Sequence, residues 1–393
     1  MRVLFISHYS GRNGAPLFLL RLMKWIKTHT NLEINVLLRS SGELQSEFEA
    51  VGSVFLAPRL AGIVSGILRR TCGEAMVKKM EGEILRRRVR GLNPSLIYSN
   101  TITNTREIAA LAALKIPILC HVHEMEYWIR HELGLEKAIA AVPLIDRFIA
   151  AGGWVKDYLI NGLGVGADII EVIHPFPCLS TERPAAASEM RGDARRELGM
   201  DNNTFVIGGC GTVDWRKGAD LFLSVARRVS QMAAGGSAQF VWVGGPTSGK
   251  FYEQLQYDVT RSGLGNVVSF VGPCSSAEKY YAMMDVFMLP SREDPYPLVM
   301  LEAASYGLPI LCFEGSGGAG EFVGDDAGIC VPYLDTNAMA EAVLRLRDAP
   351  EVRARLGAAG KERVRERHDP DTQCAAIFGA MARTQPLLAC EMR

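Results

Sequence analysis

The stretch from Ser291 to Pro309, SREDPYPLVMLEAASYGLP, combines features that suit the binding of an anion. It follows the apolar run VFMLP and leads into a segment that the pattern predicts to be helical from about Leu298 to Tyr306. Pro297 suits the first helical position, so the amides of residues 298–300, including those of Leu298 and Val299, would have no acceptor within the helix. Such amides at a helix N-terminus bind phosphate or carboxylate.

Two carboxylates accompany this predicted anion site. Asp294 stands just before the helix and Glu302 lies inside it. Carboxylates accept charge-assisted hydrogen bonds from sugar or ribose hydroxyls, which a sugar nucleotide offers beside its phosphates. The alternative is that Asp294 only caps the helix and that Glu302 is a solvated surface charge.

A second glycine-rich segment, GGCGTVDWRKGADLFL at 208–223, also runs from a predicted strand into a predicted helix. Glycines such as Gly211 let the backbone approach a phosphate, and Lys217 or Arg216 would neutralise a departing diphosphate. The segment matches neither the dinucleotide fingerprint nor the P-loop. An exposed turn is the alternative.

Two further segments follow predicted strands of the first half. In SHYSGRNGAP at 7–16, Gly11 and Gly14 would be flexible joints, or the segment is simply a tight turn. In CHVHEME at 120–126, His121 and His123 share a strand face and, with Glu124, weakly suggest a metal site. A histidine that hydrogen-bonds a substrate is an equally good reading, and only one of the two need do so.

Residues 59–90 hold nine basic and three acidic residues. This excess could lie on an anionic membrane or bind a lipid-linked phosphate. The alternative, a solvated helix face, is the commoner outcome for such a run.

The elements that must position these residues alternate between apolar strands and amphipathic helices, which predicts parallel sheets buried on both faces. A first series of strands runs from 2–8 to 169–175, and a second series runs from 204–211 to 328–333. The Pro- and Ala-rich stretch between them predicts a linker near 178–190. Helical composition near 371–388 predicts a last helix that could pack back on either domain.

We therefore predict an α/β protein with two doubly wound, Rossmann-like domains that face a cleft. The first domain would cover 1–178, together with a C-terminal helix at about 371–393, and the second would cover 190–370. Because ligands of open parallel sheets bind beyond the carboxyl ends of the strands, we expect the site in the cleft.

Composition narrows the setting. Lys and Arg equal Asp and Glu at 43 each, so the net charge predicts no attraction to nucleic acid. We expect no signal peptide at the N-terminus and no membrane span, because no apolar run is long enough. The nine cysteines are scattered and never form Cys-x-x-Cys, which indicates reduced thiols and a cytoplasmic location. With the 59–90 segment, the location could be peripheral on the inner face of the membrane.

Taken together, these motifs resemble the retaining glycosyltransferases of family 4, also called group 1, which have the GT-B fold. The resemblance is strongest from Gly208 to Glu341, where RKGADLFL, FVWVGG, DVFMLPSREDPYPLVMLEAASYGLPI and GGAGEFVGDDAGICVPY occur in the family's order. It implies that the second domain binds the nucleotide-sugar and the first domain binds the acceptor.

The resemblance also implies roles for individual residues. Asp294 would contact donor-sugar hydroxyls, Glu302 the ribose, and the amides around Leu298 and Val299 the phosphate. Lys217 would bind the diphosphate with Gly14 in the loop beside it, and His123 would reach the transferred sugar. Gly272, in VGPC at 271–274, belongs to the strand end that cradles the base.

Three departures from the family pattern stand out. Asp294 replaces the usual Glu, and Tyr296-Pro297 replaces an aromatic-glycine pair. The usual arginine before Lys-Gly falls on Gly211 or Thr212, so Arg216 could stand in for it.

The expected function is transfer of a sugar, with retention, from a donor such as a UDP- or GDP-sugar to a sugar or lipid-linked acceptor hydroxyl. We expect it in polysaccharide or glycoconjugate biosynthesis, without metal or organic cofactor. The alternatives are a nucleotide-sugar epimerase, or a phosphorylase, on the same architecture, and a non-catalytic protein that binds nucleotide-sugar.

Overall fold

A computed structural model describes residues 1–60, 62–178, 187–232, 238–274 and 276–393. The contacts divide the chain into two compact units, one of Met1–Pro175 with Pro370–Arg393 and one of Phe176–Asp369. Of the predicted linker at 178–190, residues 179–186 lie outside the described residues.

The first unit contains a parallel seven-stranded sheet with the order β3-β2-β1-β4-β5-β6-β7. Its strands are β1 Arg2–Ser7, β2 Glu33–Leu38, β3 Ser53–Leu56, β4 Leu96–Ser99, β5 Ile118–Val122, β6 Arg147–Ala150 and β7 Ile170–Val172. In β1 every residue from Val3 to Ser7 is buried, as the apolar run predicts for a strand covered on both faces.

Helices of the first unit cover this sheet. They are α1 Gly14–His29, α2 Gln45–Val51, α3 Gly62–Leu92, α4 Thr105–Leu111, α5 Leu135–Ala141 and α6 Gly153–Asn161, with a π-helix at Trp128–Gly134. Short 3-10 turns occupy Ile102–Asn104, Ala112–Leu114, Val142–Leu144 and Ala167–Ile169.

The second unit contains a parallel six-stranded sheet with the order β10-β9-β8-β11-β12-β13. Its strands are β8 Phe205–Cys210, β9 Ala238–Val243, β10 Val268–Gly272, β11 Val286–Leu289, β12 Ile310–Phe313 and β13 Gly328–Val331. Its helices are α7 Ala187–Glu197, α8 Ala219–Met232, α9 Lys250–Arg261, α10 Glu278–Met283, α11 Leu298–Ser305, α12 Gly318–Val323, α13 Thr336–Asp348 and α14 Pro350–Arg367.

The strand order confirms the predicted doubly wound fold in each unit. In their own chain order the second sheet runs 3-2-1-4-5-6 and the first runs 3-2-1-4-5-6-7. The direction of winding therefore reverses between β1 and β4 and again between β8 and β11. Loops that leave these neighbouring strands diverge and leave room for a ligand. The candidate residues Lys217, Asp294 and His123 follow strands at or next to these two points.

The last helix, α15 Pro370–Thr384, packs on the first unit and is followed by a 3-10 turn at Pro386–Glu391. The Phe378 ring lies 6.4 Å from that of Trp25, and the N-terminal amine donates to the Glu391 carboxylate at 2.8 Å. Gln385 donates to the Ser95 carbonyl at 3.1 Å. The structure therefore places this helix on the first unit.

Candidate active site

The loops that follow β8 and β11 are joined to each other by hydrogen bonds. The Arg292 amide donates to the Arg216 carbonyl at 2.8 Å, and the Arg216 guanidinium donates to the Glu293 carbonyl at 2.9 Å. Arg292 also forms a bidentate ion pair with Asp220 of α8, at 2.9 and 2.7 Å. Two segments that the sequence presents separately therefore form one surface.

Gly218 explains how closely these two loops approach. Its φ is +73°, and an added Cβ would lie 1.9 Å from the Pro290 carbonyl oxygen. Any side chain at this position would collide with backbone of the facing loop. The glycine after Lys217 is therefore needed for the contact between the loops.

The centre of this surface is an ion pair between Lys217 and Asp294. Lys217 Nζ lies 2.5 Å from Asp294 Oδ2, and Arg216 lies 3.7 Å from Oδ1. Ser291 Oγ donates to Oδ2 at 3.3 Å, and Asp294 is only 5% exposed. The arrangement favours a carboxylate that holds Lys217 in place, while its predicted contact with sugar hydroxyls stays a prediction.

The turn before Lys217 orients the cationic partner of the ion pair. The Lys217 amide donates to Asp214 Oδ1 at 2.7 Å, and Thr212 Oγ1 donates to Asp214 Oδ2 at 2.6 Å. Gly211 has φ +146°, and an added Cβ would contact the Lys217 side chain at 3.5 Å. Asp214 was not predicted, although an Asp three residues before Lys-Gly is a recognisable turn signal.

The other side of Asp294 is held by the loop after β12. The Asp294 amide donates to the Ser316 carbonyl at 2.7 Å, and the Gly318 amide donates to the Asp294 carbonyl at 3.2 Å. At Gly318 an added Cβ would lie 2.5 Å from the Pro295 carbonyl oxygen. The loops that follow three neighbouring strands, β8, β11 and β12, thus contribute to one site.

Helix α11 begins at Leu298, as predicted, but Pro297 does not occupy its first helical position. Pro297 has an extended backbone, with φ −70° and ψ 120°, and stands before the first turn instead of within it. The Met300 amide donates to the Pro297 carbonyl at 3.1 Å. In the described part of the chain, the amides of Leu298 and Val299 have no acceptor, so two of the three predicted amides can serve an anion.

Glu302 lies half-buried on α11 and is not a solvated surface charge. Its Oε2 accepts from the Tyr281 hydroxyl at 2.9 Å, and its Oε1 accepts from the Cys178 amide at 3.3 Å. Tyr281 is fully buried, and burial raises its pKa well above the usual value, so it remains a donor. Asp294 does not cap α11, because no side chain caps this helix. Both alternative readings of these carboxylates are therefore wrong.

Gly272 ends β10 at the edge of the second sheet, with β9 between it and β8. Its φ is +82°, and its carbonyl accepts from the Gly244 amide at 2.9 Å. An added Cβ would lie 2.6 Å from the Thr247 side chain. Its role in holding a base stays a prediction.

In the first unit, the predicted loop around Gly14 is shorter than expected. Helix α1 begins at Gly14, with Asn13 in an extended conformation before it. Gly14 therefore lies in the first turn of a helix and not in a flexible loop. Gly11 packs closely against Tyr9 instead, since an added Cβ would lie 2.0 Å from the Tyr9 ring.

His121 within β5 and His123 just after it lie side by side but have different surroundings. Their ring centroids are 4.1 Å apart, and both rings meet Phe18 edge-on at 5.2 and 5.4 Å. His121 is fully buried and bonds the Tyr98 hydroxyl at 2.7 Å. His123 is half-buried and lies 3.4 Å from Asn100 Oδ1. Of the two, His123 is the better placed to meet a substrate.

Burial keeps these imidazoles neutral. It lowers the pKa of His123 to about 3, with His8 nearby as a second cause, and it lowers that of His8 to about 4, with Arg39 as a second cause. The pKa of His121 also falls well below its usual value because of burial. A neutral imidazole can donate and accept a hydrogen bond, which suits a hydroxyl-bearing ligand.

Glu124, considered above only as a weak metal ligand, links the ends of β4 and β5. It accepts from the Thr101 hydroxyl, from the His123 amide at 3.1 Å and from the Ile102 amide at 3.4 Å. Burial raises its pKa to about 7, against the opposing effect of these hydrogen bonds. Throughout the described ranges, no three His, Cys, Asp or Glu side chains are arranged to hold a metal ion.

Most of the basic segment 59–90 forms α3, which kinks at Gly73. Several of its charges are paired, since Lys78 contacts Glu74 at 3.0 Å and both Arg86 and Arg87 contact Glu83 at 2.7 and 3.2 Å. Arg88 lies over the Phe55 ring at 4.4 Å. Among the residues described, no helix is both long and apolar enough to span a bilayer. Contact with a membrane surface stays a prediction.

Comparison with known proteins identifies two matching family models. The model described as "Glycosyl transferases group 1" matches residues 204–349, and "Glycosyltransferase Family 4" matches residues 76–176. Together they cover more than half of the chain, and the first includes every candidate residue named above between Gly211 and Glu302.

Individual relatives agree with this assignment. The chain is 29% identical over 228 residues to D-inositol 3-phosphate glycosyltransferase of Thermobifida fusca, covering 56% of this chain and 51% of that protein. It is 24% identical over 368 residues to the lipopolysaccharide core biosynthesis glycosyltransferase LpsD of Rhizobium meliloti, covering 93% and 94%. The match thus spans about half the length of the inositol phosphate enzymes and nearly all of LpsD.

Solved structures show the same fold. HepE of Anabaena, solved with UDP-glucose, has a TM-score of 0.78 at 20% identity and covers 98% of this chain and 100% of its own. Sucrose-phosphate synthase from Thermosynechococcus elongatus has a TM-score of 0.77 at 20% identity, covering 99% and 100%. The chain therefore belongs to the group 1 glycosyltransferases of family 4 and has the two parallel α/β domains of the GT-B fold.

Proposed function

We propose that this protein is a retaining glycosyltransferase that moves a sugar from a nucleotide-sugar donor to an acceptor hydroxyl. The observation that carries the proposal is the Lys217–Asp294 pair beside Arg216, held at the point where the winding of the second sheet reverses. A buried carboxylate fixes the ammonium group, and the fixed ammonium group then suits an anionic leaving group.

The proposed diphosphate contacts use groups that still have hydrogen-bonding capacity. A lysine ammonium has three donors, and the contact with Asp294 occupies one of them. The amides of Leu298 and Val299 add two further donors at the positive end of α11. As the bond between sugar and diphosphate breaks, negative charge grows on the leaving oxygen and these donors stabilise it.

Glu302 is proposed to bind the ribose. It lies four residues after Leu298, hence just over one helical turn, about 6 Å, along the same face of α11. That spacing suits a ribose attached to a diphosphate held at the helix start. The Tyr281 hydroxyl and the Cys178 amide hold the carboxylate in a fixed orientation.

The relatives support a uridine nucleotide as the first donor to test. HepE is solved with UDP and with UDP-glucose, and LpsD is named for lipopolysaccharide core biosynthesis. We therefore propose that a UDP-sugar is the donor, with a GDP-sugar as the alternative base. The acceptor would be a sugar or a lipid-linked sugar in polysaccharide or glycoconjugate synthesis.

The first unit is proposed to bind the acceptor, with neutral His123 bonding a sugar hydroxyl. Retention would follow if the acceptor attacks the face that the diphosphate leaves, with a phosphate oxygen taking the acceptor proton. The new glycosidic bond forms as the sugar–phosphate bond breaks, so the donor configuration is kept. Proton NMR of the product anomer tests this step directly, and an inverted anomer contradicts retention.

Thermal-shift measurements with UDP, GDP, ADP and their sugars test the donor assignment. We expect one nucleoside diphosphate to raise the melting temperature of the protein, and we expect Lys217→Ala to lose this shift. A bound donor converted to its epimer without any acceptor would indicate an epimerase instead. Binding without turnover on a panel of sugar and lipid-linked acceptors would indicate a non-catalytic protein.

A further inference from the structure

Two cysteines face each other across neighbouring strands of the second sheet. Cys312 of β12 and Cys330 of β13 are direct partners in the parallel register, and their Sγ atoms lie 3.5 Å apart. Neighbouring strands are spaced at about 4.8 Å, which falls within the usual range of roughly 4.4–6.8 Å between the Cα atoms of a disulfide. Register partners point to the same face of the sheet. The backbone geometry therefore permits a bond between the two sulfurs.

The two thiols differ in the way that disulfide formation requires. Cys312 is fully buried, while Cys330 is half-buried. The hydrogen bond between them raises the pKa of Cys312 and lowers that of Cys330. A more accessible thiol of lowered pKa beside a buried thiol suits an attacking and a resolving cysteine.

We propose that Cys312 and Cys330 form a reversible intramolecular disulfide when the protein meets a peroxide. The Cys330 thiolate attacks one peroxide oxygen, the O–O bond breaks, and hydroxide leaves, which gives a sulfenic acid. The Cys312 thiol then attacks the Cys330 sulfur and releases water. In total, two thiols and one hydrogen peroxide give one disulfide and two waters, and a dithiol reductant reverses the change.

The disulfide would act on the candidate site through the loop after β12. Cys312 stands four residues before Ser316, whose carbonyl accepts from the Asp294 amide, and six before Gly318, whose amide donates to the Asp294 carbonyl. Closing the sulfur gap from 3.5 Å to a bond of about 2.05 Å ties the end of β12 covalently to β13 and so constrains the loop that follows β12. Weaker donor binding after oxidation follows, and this consequence rests on the proposed function.

The first test is peptide mapping of the full-length protein after limited hydrogen peroxide treatment, with and without later dithiothreitol. After cleavage at glutamate, which divides the chain at Glu314 and Glu321 between the two cysteines, we expect a peptide pair linked through Cys312 and Cys330, lighter by two hydrogens and released by the reductant. Cys390→Ser serves as the matched control, because Cys390 is exposed and its loss should leave the link unchanged. Cys312→Ser should abolish the link and leave Cys330 open to further oxidation.

The wild-type protein alone can overturn the proposal. If Cys330 goes to sulfinic acid without linking, or if both thiols stay reduced at a dose that oxidises Cys390, no disulfide site exists here. Nucleotide binding is then compared between the reduced and the linked protein, and we expect at least a several-fold loss on linking. Equal binding overturns the coupling to Asp294, whereas failure of the reduced protein to bind any nucleotide contradicts the proposed function instead.

Discussion

The two sheets of this protein differ in the groups at their carboxyl ends, which are charged in the second unit and neutral but polar in the first. In the second unit, Lys217 and Asp294 form a close, nearly buried ion pair with Arg216 beside it. In the first unit, burial lowers the pKa values of His123 and His121, which keeps both imidazoles neutral. The same strand order therefore supports a charged site in one unit and an uncharged polar site in the other.

This difference suits the ligands proposed for the two sites. A diphosphate needs positive charge that is already held in place, because ordering a free lysine would cost side-chain entropy. A sugar hydroxyl is neutral and needs paired donors and acceptors, which a neutral imidazole supplies. A fold that repeats its topology can thus divide binding of an anion and binding of a hydroxyl between its two sheets.

The largest effect should come from Lys217→Ala, which removes the charge at the centre of the second site. We expect the rate of transfer to fall about a hundredfold or more, the usual result of removing one donor to a developing anion. Steady-state kinetics with the donor found by thermal shift measures it. Lys361→Ala is the matched control, since Lys361 is exposed on α14. A loss in transfer of less than tenfold would refute the role of Lys217 in the leaving-group site.

Gly218→Ala should show whether the charged site depends on the contact between its two loops. The new Cβ would meet the Pro290 carbonyl, whereas Gly263→Ala has a similar positive φ, +69°, with nothing within 4 Å. Both variants carry the strain of the left-handed region, about 1–2 kcal/mol. We expect Gly218→Ala to lose about 2 kcal/mol more in the free energy of unfolding, measured with urea. Equal losses would show that the loops can separate without cost.

Glu302→Gln keeps the shape of the side chain and removes its charge. A neutral hydrogen bond to ribose is weaker than a charged one, so we expect nucleotide affinity to fall about tenfold, or about 1.4 kcal/mol. Isothermal titration calorimetry with the nucleoside diphosphate measures this loss. Glu341→Gln, at an exposed position on α13, is the control. An unchanged Kd would remove Glu302 from the nucleotide site.

Much of the architecture could be predicted because the strands are short apolar runs bounded by glycine, proline and polar residues. The apolar run VFMLP, for example, contains β11 at Val286–Leu289, and the strand predicted at 204–211 is Phe205–Cys210 in the structure. Their adjacency follows from the doubly wound order, so the meeting of the two loops could be expected. The exact starts of helices are harder to predict from sequence, because several neighbouring residues suit a first turn equally well. Gly14 begins α1 instead of lying in a loop, and Pro297 precedes α11 instead of beginning it.

The contacts that fix the site could not be predicted from the sequence. Tyr281 holds Glu302 from another helix, and no local pattern links them. His121 and His123 have the same side chain and face, and only the packing shows that one is fully buried and bonded to Tyr98. Glu124 drew attention for its chemical type, yet its function in joining strand ends depends on Thr101, which lies 23 residues away.

The smallest predicted effect concerns stability near neutral pH in the uncharged site of the first unit. The folded pKa of His123, about 3, lies below its ordinary 6.5, so stability is lost as pH falls below 6.5. The folded pKa of Glu124, about 7, lies above its ordinary 4.5, so stability is lost as pH rises through about 7. On acidification from pH 7 to pH 6, His123 therefore lowers the free energy of unfolding by about 0.7 kcal/mol, and Glu124 raises it by a similar amount.

Urea unfolding at pH 7 and pH 6 separates these opposing contributions. We expect His123→Asn to be stabilised by acidification relative to wild type, because it lacks the histidine whose protonation favours the unfolded state. Glu124→Gln should be destabilised by acidification relative to wild type, because it lacks the carboxylate whose protonation favours the folded state. His8, with its pKa lowered to about 4, adds to the histidine side and keeps wild type from being pH-independent. Shifts of the same sign in both variants would show that the first site is not held neutral by burial, and the contrast with the charged site would fail.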